Sequence, residues 1–445
     1  MHIIIIGGDA VGYSLAKALA TQHEVAVVDP NPQCVNRFAD LDVSVVTGRG
    51  TNPDRLRQAG ITSDSLLIAA TSLDEVNIVA CSLGSQLGAN QTICFVSKED
   101  FLHAPGGTQH LKEHFGIDHI IWPDAQLASA IERVINVYGA INADTFADGR
   151  VQLVEFLLND ASPLINRSLA QASPLGGVVL VALKRDNKTT VPHGETVLLS
   201  GDKIVLMGTQ EGMQRVRADL LPDHRDDAVQ LVTIVGGGDV GFRLAQQLDQ
   251  SNGIRLQVIE ENRRRGELLA QSLKNGLVLR GDGTDLELLE SEDIGRSDVL
   301  VSVIGNDERN LLAALLARQL GVDRVVTRVS HPSNRRLFER VGIDVVLSAH
   351  GAAVASILHQ IDGGRASLLT VLEEGEARVL DIPVPGNFAT SLVSDLGLPN
   401  ESVIGTVLRD GKVIVPRGED DVRAGDHLLV CCTASAVTDV RDLFS

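Results

Sequence analysis

Residues 232–241, VTIVGGGDVG, decide the fold of this 445-residue chain. The apolar run 232–235 is typical of a buried parallel strand, and Gly236, Gly238 and Gly241 follow it in the pattern G-x-G-x-x-G. The first glycine of this pattern permits a tight turn, the second lets a pyrophosphate approach the backbone, and the third lets a helix pack on the strand. The N-terminus of that helix offers free N–H groups to phosphates. The stretch therefore predicts the start of a Rossmann-like subdomain.

A carboxylate follows at the position where such a subdomain holds a ribose. Glu260 ends the next predicted strand, 24 residues after Gly236. A carboxylate there hydrogen-bonds ribose hydroxyls and repels a 2′-phosphate. We therefore expect the second half of the chain to bind NAD or an adenosine nucleotide rather than NADP.

The same pattern occurs earlier in the chain, where residues 3–12 read IIIIGGDAVG. Three further segments match in the same order: Asp29 with Glu260, GRGT (48–51) with GDGT (281–284), and SLLIAATSLDEVN (65–77) with DVLVSVIGNDERN (298–310). Four matches in order indicate a duplicated unit rather than coincidence.

Each copy divides into two parts. Alternating strand and helix patterns predict a parallel sheet, and the short β-rich runs that follow predict a smaller subdomain. The predicted fold class is α/β, a tandem repeat of a Rossmann-like doubly wound parallel-sheet subdomain plus a small β-rich α+β subdomain. The expected boundaries are 1–140 and 141–222 in the first copy, then 229–355 and 360–445 in the second, with a charged linker at 222–228. We expect four subdomains with separate cores.

Composition excludes several classes of function. The net charge of −19 disfavours direct binding to nucleic acid or to an anionic lipid surface. The five cysteines lack a CxxC pair, so they are expected to be small buried hydrophobes rather than disulfides or zinc ligands. Four histidines that lie close in sequence show no metal-ligand spacing, and no metal site is expected: His103, His110, His114 and His119. The N-terminal apolar run is interpreted as a strand rather than a signal peptide, and direct membrane insertion is not expected.

The first copy departs from the nucleotide-binding pattern at three positions. Asp9 replaces the middle glycine, which places a carboxylate where a pyrophosphate would come close. Arg49 stands where the second copy has Asp282, and Phe95 stands where it has Arg328. Whether the first copy binds a nucleotide is left open by the sequence.

A D-E-x-N segment follows the fourth predicted strand in both copies, at 74–77 and at 307–310. The structural interpretation, a helix cap with acids in the first turn, is favoured over contact with a ligand. The preceding strand tips, 70–71 and 304–305, are better placed for a ligand because ligands lie beyond the carboxyl ends of parallel strands.

No catalytic constellation is evident. The β-rich parts are too small for the usual substrate domain of a dehydrogenase, and no Ser/His/Asp or Cys/His arrangement stands out. We expect no enzyme activity and no catalytic residue, although an NAD-dependent oxidoreductase remains the alternative.

Together the doubled motif, the strand-ending acids, G-D-G-T, D-E-x-N and a following T-R-V make the chain resemble the TrkA family over nearly its whole length. These are cytosolic regulatory subunits of Trk potassium-uptake systems with two RCK (regulator of potassium conductance) units in tandem. The resemblance implies a homotetrameric gating ring, peripheral on the inner face of the cell membrane beneath a TrkH/TrkG-like translocating subunit. It also implies NAD(H) as ligand, with ATP or ADP possible, especially at the first site. A nucleotide sensor for a different transporter is a further alternative.

The resemblance also implies the nucleotide-binding residues. In the second half they are Gly236, Gly237, Gly238, Asp239, Val240, Gly241, Glu260, Asp282, Gly283, Thr284, Ile304 and Arg328. In the first half they are Gly7, Gly8, Asp9, Ala10, Val11, Gly12, Asp29, Thr51, Ala70 and Thr71.

Overall fold

A computed structural model of the chain describes most of its length. The described residues are 1–20, 23–98, 101, 107–160, 162–171, 176–186, 188–220, 230–361, 367–372 and 376–444. The predicted linker at 222–228 and His103 lie outside them.

The first part is a six-stranded parallel sheet in the order β3-β2-β1-β4-β5-β6. Its elements are β1 (His2–Ile6), α1 (Ala10–Leu19), β2 (Glu24–Asp29), α2 (Cys34–Arg37), β3 (Val43–Thr47), α3 (Pro53–Gln58), β4 (Ser65–Ala69), α4 (Asp74–Gln86), β5 (Gln91–Phe95), α5 (Gly107–Phe115), β6 (His119–Ile121) and α6 (Pro123–Asn136). The strand order reverses between β1 and β4, which is the switch point where doubly wound sheets bind ligands.

The first β-rich part is a five-stranded antiparallel sheet in the order β10-β9-β11-β8-β7. Its elements are β7 (Ala140–Phe146), β8 (Val151–Leu157), β9 (Val178–Arg185), β10 (Lys188–Thr190), β11 (Lys203–Thr209) and α7 (Gln210–Leu220).

The second half repeats both parts. Its parallel sheet has the order β14-β13-β12-β15-β16-β17, and the antiparallel sheet has the order β18-β19-β24-β21-β22. The elements are β12 (Gln230–Val235), α8 (Asp239–Asp249), β13 (Ile254–Glu260), α9 (Arg263–Ser272), β14 (Leu277–Arg280), α10 (Leu286–Ser291), β15 (Val299–Ser302), α11 (Asp307–Leu320), β16 (Arg324–Arg328), α12 (Pro332–Arg340), β17 (Val345–Leu347), α13 (Ala349–Ile361), β18 (Ser367–Leu372), β19 (Ala377–Pro383), β20 (Ser391–Leu392), β21 (Ser402–Arg409), β22 (Lys412–Ile414), β23 (Asp421–Val422), β24 (His427–Thr433) and α14 (Val437–Asp442). The predicted fold class is confirmed.

The expectation of separate cores is wrong, because each half lends a helix to the other. Helix α6 of the first half packs on α8, and its Leu127 and Ile131 share one apolar core with Ile234 and Leu244. Helix α13 of the second half packs in the same way on α1 and on the first Rossmann-like core. The two halves therefore share apolar cores and do not form independently packed units.

The two antiparallel sheets also share a core. Met207 of β11 packs with Val379 and Cys431 of the second sheet. The contact is close at Gly405, where an added Cβ would lie 2.3 Å from the Met207 Sδ. The interface between the β-rich parts is thus a packed interior, in which the Met207 side chain would have to shift to admit a larger residue at position 405.

All five cysteines are free and buried, as expected of small hydrophobic residues. Burial raises the pKa of the Cys432 thiol to about 12. Within the described part of the chain, no group of three or more His, Cys, Asp or Glu residues is arranged to hold a metal ion. No helix of the described residues is both long and apolar enough to cross a membrane.

Candidate functional site

The glycine motif of the second half forms the predicted strand–turn–helix. Gly236 follows β12 with φ +105°, a conformation that favours glycine. A Cβ on Gly241 would lie 1.8 Å from the Gly236 carbonyl oxygen, so this glycine lets α8 start directly against the turn. Gly238 is the N-cap of α8 and supplies no capping side chain. The positive end of this helix therefore faces the switch point of the sheet.

Glu260 fastens this turn to the end of β13. Its buried carboxylate accepts hydrogen bonds from the Gly237 N–H at 2.5 Å and from the Asn262 N–H at 2.6 Å. Each carboxylate oxygen has a further lone pair, and Glu260 borders the cavity beside the motif. The predicted ribose-binding acid is therefore held rigidly in place.

A cavity of about 150 Å³ opens at this point, between the ends of β12, β13, β14 and β15. It is lined by Val235, Gly236, Gly238, Ile259, Glu260, Glu261, Arg265, Gly281, Gly283, Val303, Ile304, Gly305 and Arg309. Five of the predicted site residues are therefore brought together, namely Gly236, Gly238, Glu260, Gly283 and Ile304. Gly237, Asp239, Val240 and Gly241 build the turn and helix behind it.

Two arginines at this cavity were missed by the sequence analysis. Arg309 lies in the first turn of α11 and donates to Glu261 Oε2 at 2.7 Å and to Asp282 Oδ1 at 2.8 Å. Hydrogen bonds to these two carboxylates raise the pKa of Arg309. Burial pushes the pKa of Asp282 upward, but the hydrogen bonds from Thr284 and Arg309 outweigh it and the pKa is lowered. Asp282 and Thr284, predicted to contact ligand, thus form a turn that anchors Arg309.

Arg265 of α9 is the second such arginine. Its Nη1 would lie 3.6 Å from a Cβ built on Gly238, the position where a pyrophosphate would approach the backbone. A guanidinium there is suited to bind phosphate oxygens. Comparison of the two copies could have identified both arginines, because Val76 and Cys34 occupy the matching positions of the first half.

Arg328 is not among the residues that line this cavity, although it ends the strand next to β15. It ends β16, and its Nη1 is 3.8 Å from Asp124 Oδ1 of α6. The structure therefore pairs this predicted nucleotide-binding residue with a carboxylate contributed by the other half.

The first half has the same backbone but a different set of charges. Asp29 accepts hydrogen bonds from the Gly8 N–H at 2.7 Å and the Asn31 N–H at 2.8 Å, as Glu260 does in the second half. Asp9, however, is the N-cap of α1, and its carboxylate accepts from the N–H groups of Val11 at 2.9 Å and Gly12 at 3.3 Å. The protein's own anion therefore occupies the helix N-terminus that would otherwise face a phosphate.

The first half has one arginine, Arg37, against its glycine motif, in place of the arginine pair of the second half. Arg37 donates to the Gly8 carbonyl oxygen at 2.6 Å and borders an open cavity of about 390 Å³ with Ala10 and Tyr13. Thr71 is engaged by Asn77, whose Oδ1 accepts from both its N–H and its hydroxyl. Three arginines of the second half are matched here by uncharged residues. Arg265 is matched by Cys34, Arg309 by Val76 and Arg328 by Phe95.

The D-E-x-N segments serve the structural role. Helices α4 and α11 begin at Asp74 and Asp307, so the acids lie in the first turn, but the capping residues are Leu73 and Asn306. The Asp307 carboxylate accepts from the Ser330 N–H at 2.8 Å and from the Asn334 side chain at 2.8 Å. Each segment thus ties its helix to the loop after the neighbouring strand.

Removing the Asp9 carboxylate is expected to weaken the first half. Asp9→Ala leaves the Val11 and Gly12 N–H groups without their cap and should lower the free energy of unfolding by about 1 kcal/mol. Asp9→Ser keeps a capping oxygen, so its free energy of unfolding should fall much less. Urea unfolding of the two variants checks this, and equal stability of Asp9→Ala and the wild type would contradict the capping role.

Comparisons with known proteins agree with this architecture. Residues 3–123 and 232–349 match the TrkA-N domain, and residues 153–221 and 379–445 match the TrkA-C domain. The chain is 34% identical to a Trk system potassium uptake protein TrkA homolog 2 of Methanosarcina mazei, with 100% of both chains covered. It is 30% identical to Trk system potassium uptake protein TrkA of Azorhizobium caulinodans, covering 100% of this chain and 98% of that one.

Solved structures share the fold at low identity. The GsuK RCK domain superposes with a TM-score of 0.56 at 21% identity, covering 100% of this chain and 94% of that one. The GsuK channel bound to NAD gives a TM-score of 0.57 at 21% identity, covering 100% of this chain and 78% of that one. With two TrkA-N and two TrkA-C domains in tandem along its length, the chain belongs to the TrkA family.

Proposed function

We propose that the chain is a non-catalytic, nucleotide-binding regulatory subunit of a Trk-type potassium-uptake system. The observation that carries this proposal is the uncapped N-terminus of α8 beside Glu260, in a chain that belongs to the TrkA family. Curated relatives named as Trk system potassium uptake proteins support the transport role.

The proposed ligand of the second half is NAD(H). Glu260 would hold the adenosine ribose, the N–H groups of α8 and Arg265 would hold the pyrophosphate, and Arg309 would border the adenosine end. The carboxylates of Glu260 and Glu261 disfavour a 2′-phosphate. The structural neighbour described as the GsuK channel bound to NAD supports this choice.

The first half keeps only part of the nucleotide-binding geometry. Asp29 keeps the geometry of a ribose-binding acid, but Asp9 caps the helix that would receive a phosphate. An adenosine nucleotide such as ATP or ADP would have to displace this carboxylate before its phosphates reached the N–H groups of α1. We propose that binding of the pyrophosphate is confined to the second half.

We also propose that the chain does not catalyse a reaction. Glu260 is held by two backbone N–H groups, and Glu261 pairs with Arg309. These carboxylates lie on the adenosine side of the cavity, away from where a hydride donor would sit, and are poorly placed for general acid or base chemistry.

Regulation requires that the nucleotide bind two arrangements of the protein with different affinity. We propose a homotetrameric ring, peripheral on the inner face of the cell membrane, that passes this difference to a TrkH/TrkG-like translocating subunit. A coupling of roughly 1–3 kcal/mol is typical for such a link. The net charge of −19 fits contact with a basic cytosolic surface on that partner.

Potassium uptake by cells that lack the gene tests this function. Wild-type protein should restore uptake, and a variant unable to bind nucleotide should restore it without nucleotide control. Restored uptake of another ion but not of potassium would indicate a different transporter. Reduction of NAD with any of a panel of metabolites would instead indicate an oxidoreductase.

A further inference from the structure

Helix α6 of the first half lies along the second Rossmann-like part with its N-terminus at the edge that carries the nucleotide motif. The Trp122 ring packs under the Arg243 guanidinium at 3.8 Å, near the start of α8. At the other end of α6, the Val134 carbonyl accepts a hydrogen bond from Arg324, which begins β16. The first residues of α6 therefore stand at the carboxyl ends of the strands, where ligands bind.

Asp124, in the first turn of α6, faces Arg328 across the seam between the halves. The two side chains are 3.8 Å apart, and each is about one fifth exposed, at 19% for Asp124 and 22% for Arg328. Burial raises the pKa of Asp124, with Arg328 and His350 acting to lower it and Asp239 to raise it. Helix α6 packs on α8, which begins at Asp239, so Asp124 lies on a helix that contacts the motif helix.

Arg328 is also adjacent to the wall of the nucleotide cavity. The Asn310 side-chain amide donates to the carbonyl oxygens of Ile304 at 2.8 Å and Arg328 at 3.1 Å. Ile304 lines the cavity, and Arg328 ends the neighbouring strand. Adjacent strands are about 4.8 Å apart, so the ion pair begins one strand beyond the cavity.

A dinucleotide bound at this site must extend toward that pair. The cavity surrounds Glu260 and is suited to the adenosine half, with the pyrophosphate at Gly238. The second ribose and its base then continue past Gly238, away from Glu260 and across the switch point. In that direction the structure places Asp124 and Arg328, which offer an acceptor and a donor to ribose hydroxyls or to an amide.

We propose that Asp124 and Arg328, one from each half, bind the nicotinamide-riboside end of a dinucleotide and thereby distinguish it from adenosine diphosphate. This rests on the proposed binding of nucleotide in the second half. Adenosine diphosphate fills the adenosine and pyrophosphate positions without reaching the seam. Only the dinucleotide contacts both halves, so only the dinucleotide stabilises the packing of α6 on the second Rossmann-like part.

Calorimetric titration of NADH and ADP into the full-length protein and into Asp124→Asn tests this proposal. A hydrogen bond to a charged group is worth at least about tenfold in affinity. Asp124→Asn should therefore weaken NADH about tenfold and change ADP affinity less than about twofold, and Arg328→Gln should show the same selectivity. Glu132→Gln, on the same helix and half-buried, is the matched control and should change neither.

Unchanged ADP affinity in these variants also shows that the site is still folded. An equal loss for NADH and ADP, or no loss for either, would overturn the assignment of Asp124 and leave the proposed function standing. If the wild-type protein binds neither NADH nor ADP, both the assignment of Asp124 and the proposed function are overturned.

Discussion

Replacing Gly238 by aspartate is expected to raise the dissociation constant for NADH at least about a hundredfold. A Cβ at this position has only Arg265 Nη1 near it, at 3.6 Å, and φ is −69°, which any residue adopts. The new carboxylate would accept from the N–H groups at the start of α8, as Asp9 does at the start of α1. Two hydrogen bonds to a charged group are worth more than about 3 kcal/mol, which corresponds to this loss.

The melting temperature of Gly238→Asp shows whether a loss of NADH binding comes from a blocked site or from misfolding. Gly238→Asp should melt at or slightly above the wild-type temperature, because an aspartate N-cap is a few tenths of a kcal/mol better than glycine. Gly238→Ala adds the Cβ without the charge and should weaken binding far less. Unchanged NADH affinity in Gly238→Asp would place the nucleotide elsewhere.

Gly241→Ala is expected to lower the free energy of unfolding by roughly 3 kcal/mol, at the upper end of what overpacking costs. The added methyl group would lie 1.8 Å from the Gly236 carbonyl oxygen, which is backbone and cannot rotate away. Helix α8 must then move off β12, so nucleotide affinity should fall as well. Denaturant unfolding followed by circular dichroism measures the loss.

A second glycine of the same subdomain provides the matched control. A Cβ on Gly266, inside α9, would meet Val278 at an ordinary 3.9 Å. Gly266→Ala should therefore stabilise the protein by about 0.5–1 kcal/mol through helix propensity alone. If Gly241→Ala and Gly266→Ala changed the free energy of unfolding equally, close packing of α8 on β12 would not be required for stability.

Local pattern was enough to predict the two Rossmann-like parts. Apolar runs of about five residues that alternate with helix-period segments favour buried parallel strands. The glycine motif and the strand-ending acids Asp29 and Glu260 therefore lie where the sequence placed them, with their carboxylates on the motif N–H groups.

The exchange of α6 and α13 between the halves could not be predicted in the same way. The apolar residues of α6 do not by themselves identify the Rossmann-like part on which they pack, because the two copies repeat the same sequence pattern. Only the three-dimensional arrangement shows that Leu127 and Ile131 pack beside Leu244 of the other half. The partner of Arg328, which is Asp124 on this exchanged helix, was hidden for the same reason.

The substitution of Asp9 for glycine was visible in the sequence, but its consequence was not. A carboxylate at that position either repels a ligand from solvent or turns inward to cap the helix. The structure shows the second arrangement, with the N–H groups of Val11 and Gly12 already satisfied. The first half thus keeps the Rossmann-like fold while its phosphate position is filled from within.

The central claim is that a pyrophosphate binds at the second half alone. Calorimetric titration of NADH into the full-length protein measures it directly through the stoichiometry. We predict one NADH per chain, held at the N-terminus of α8. Two NADH molecules per chain, or one that still binds when Gly238 is aspartate, would contradict the account.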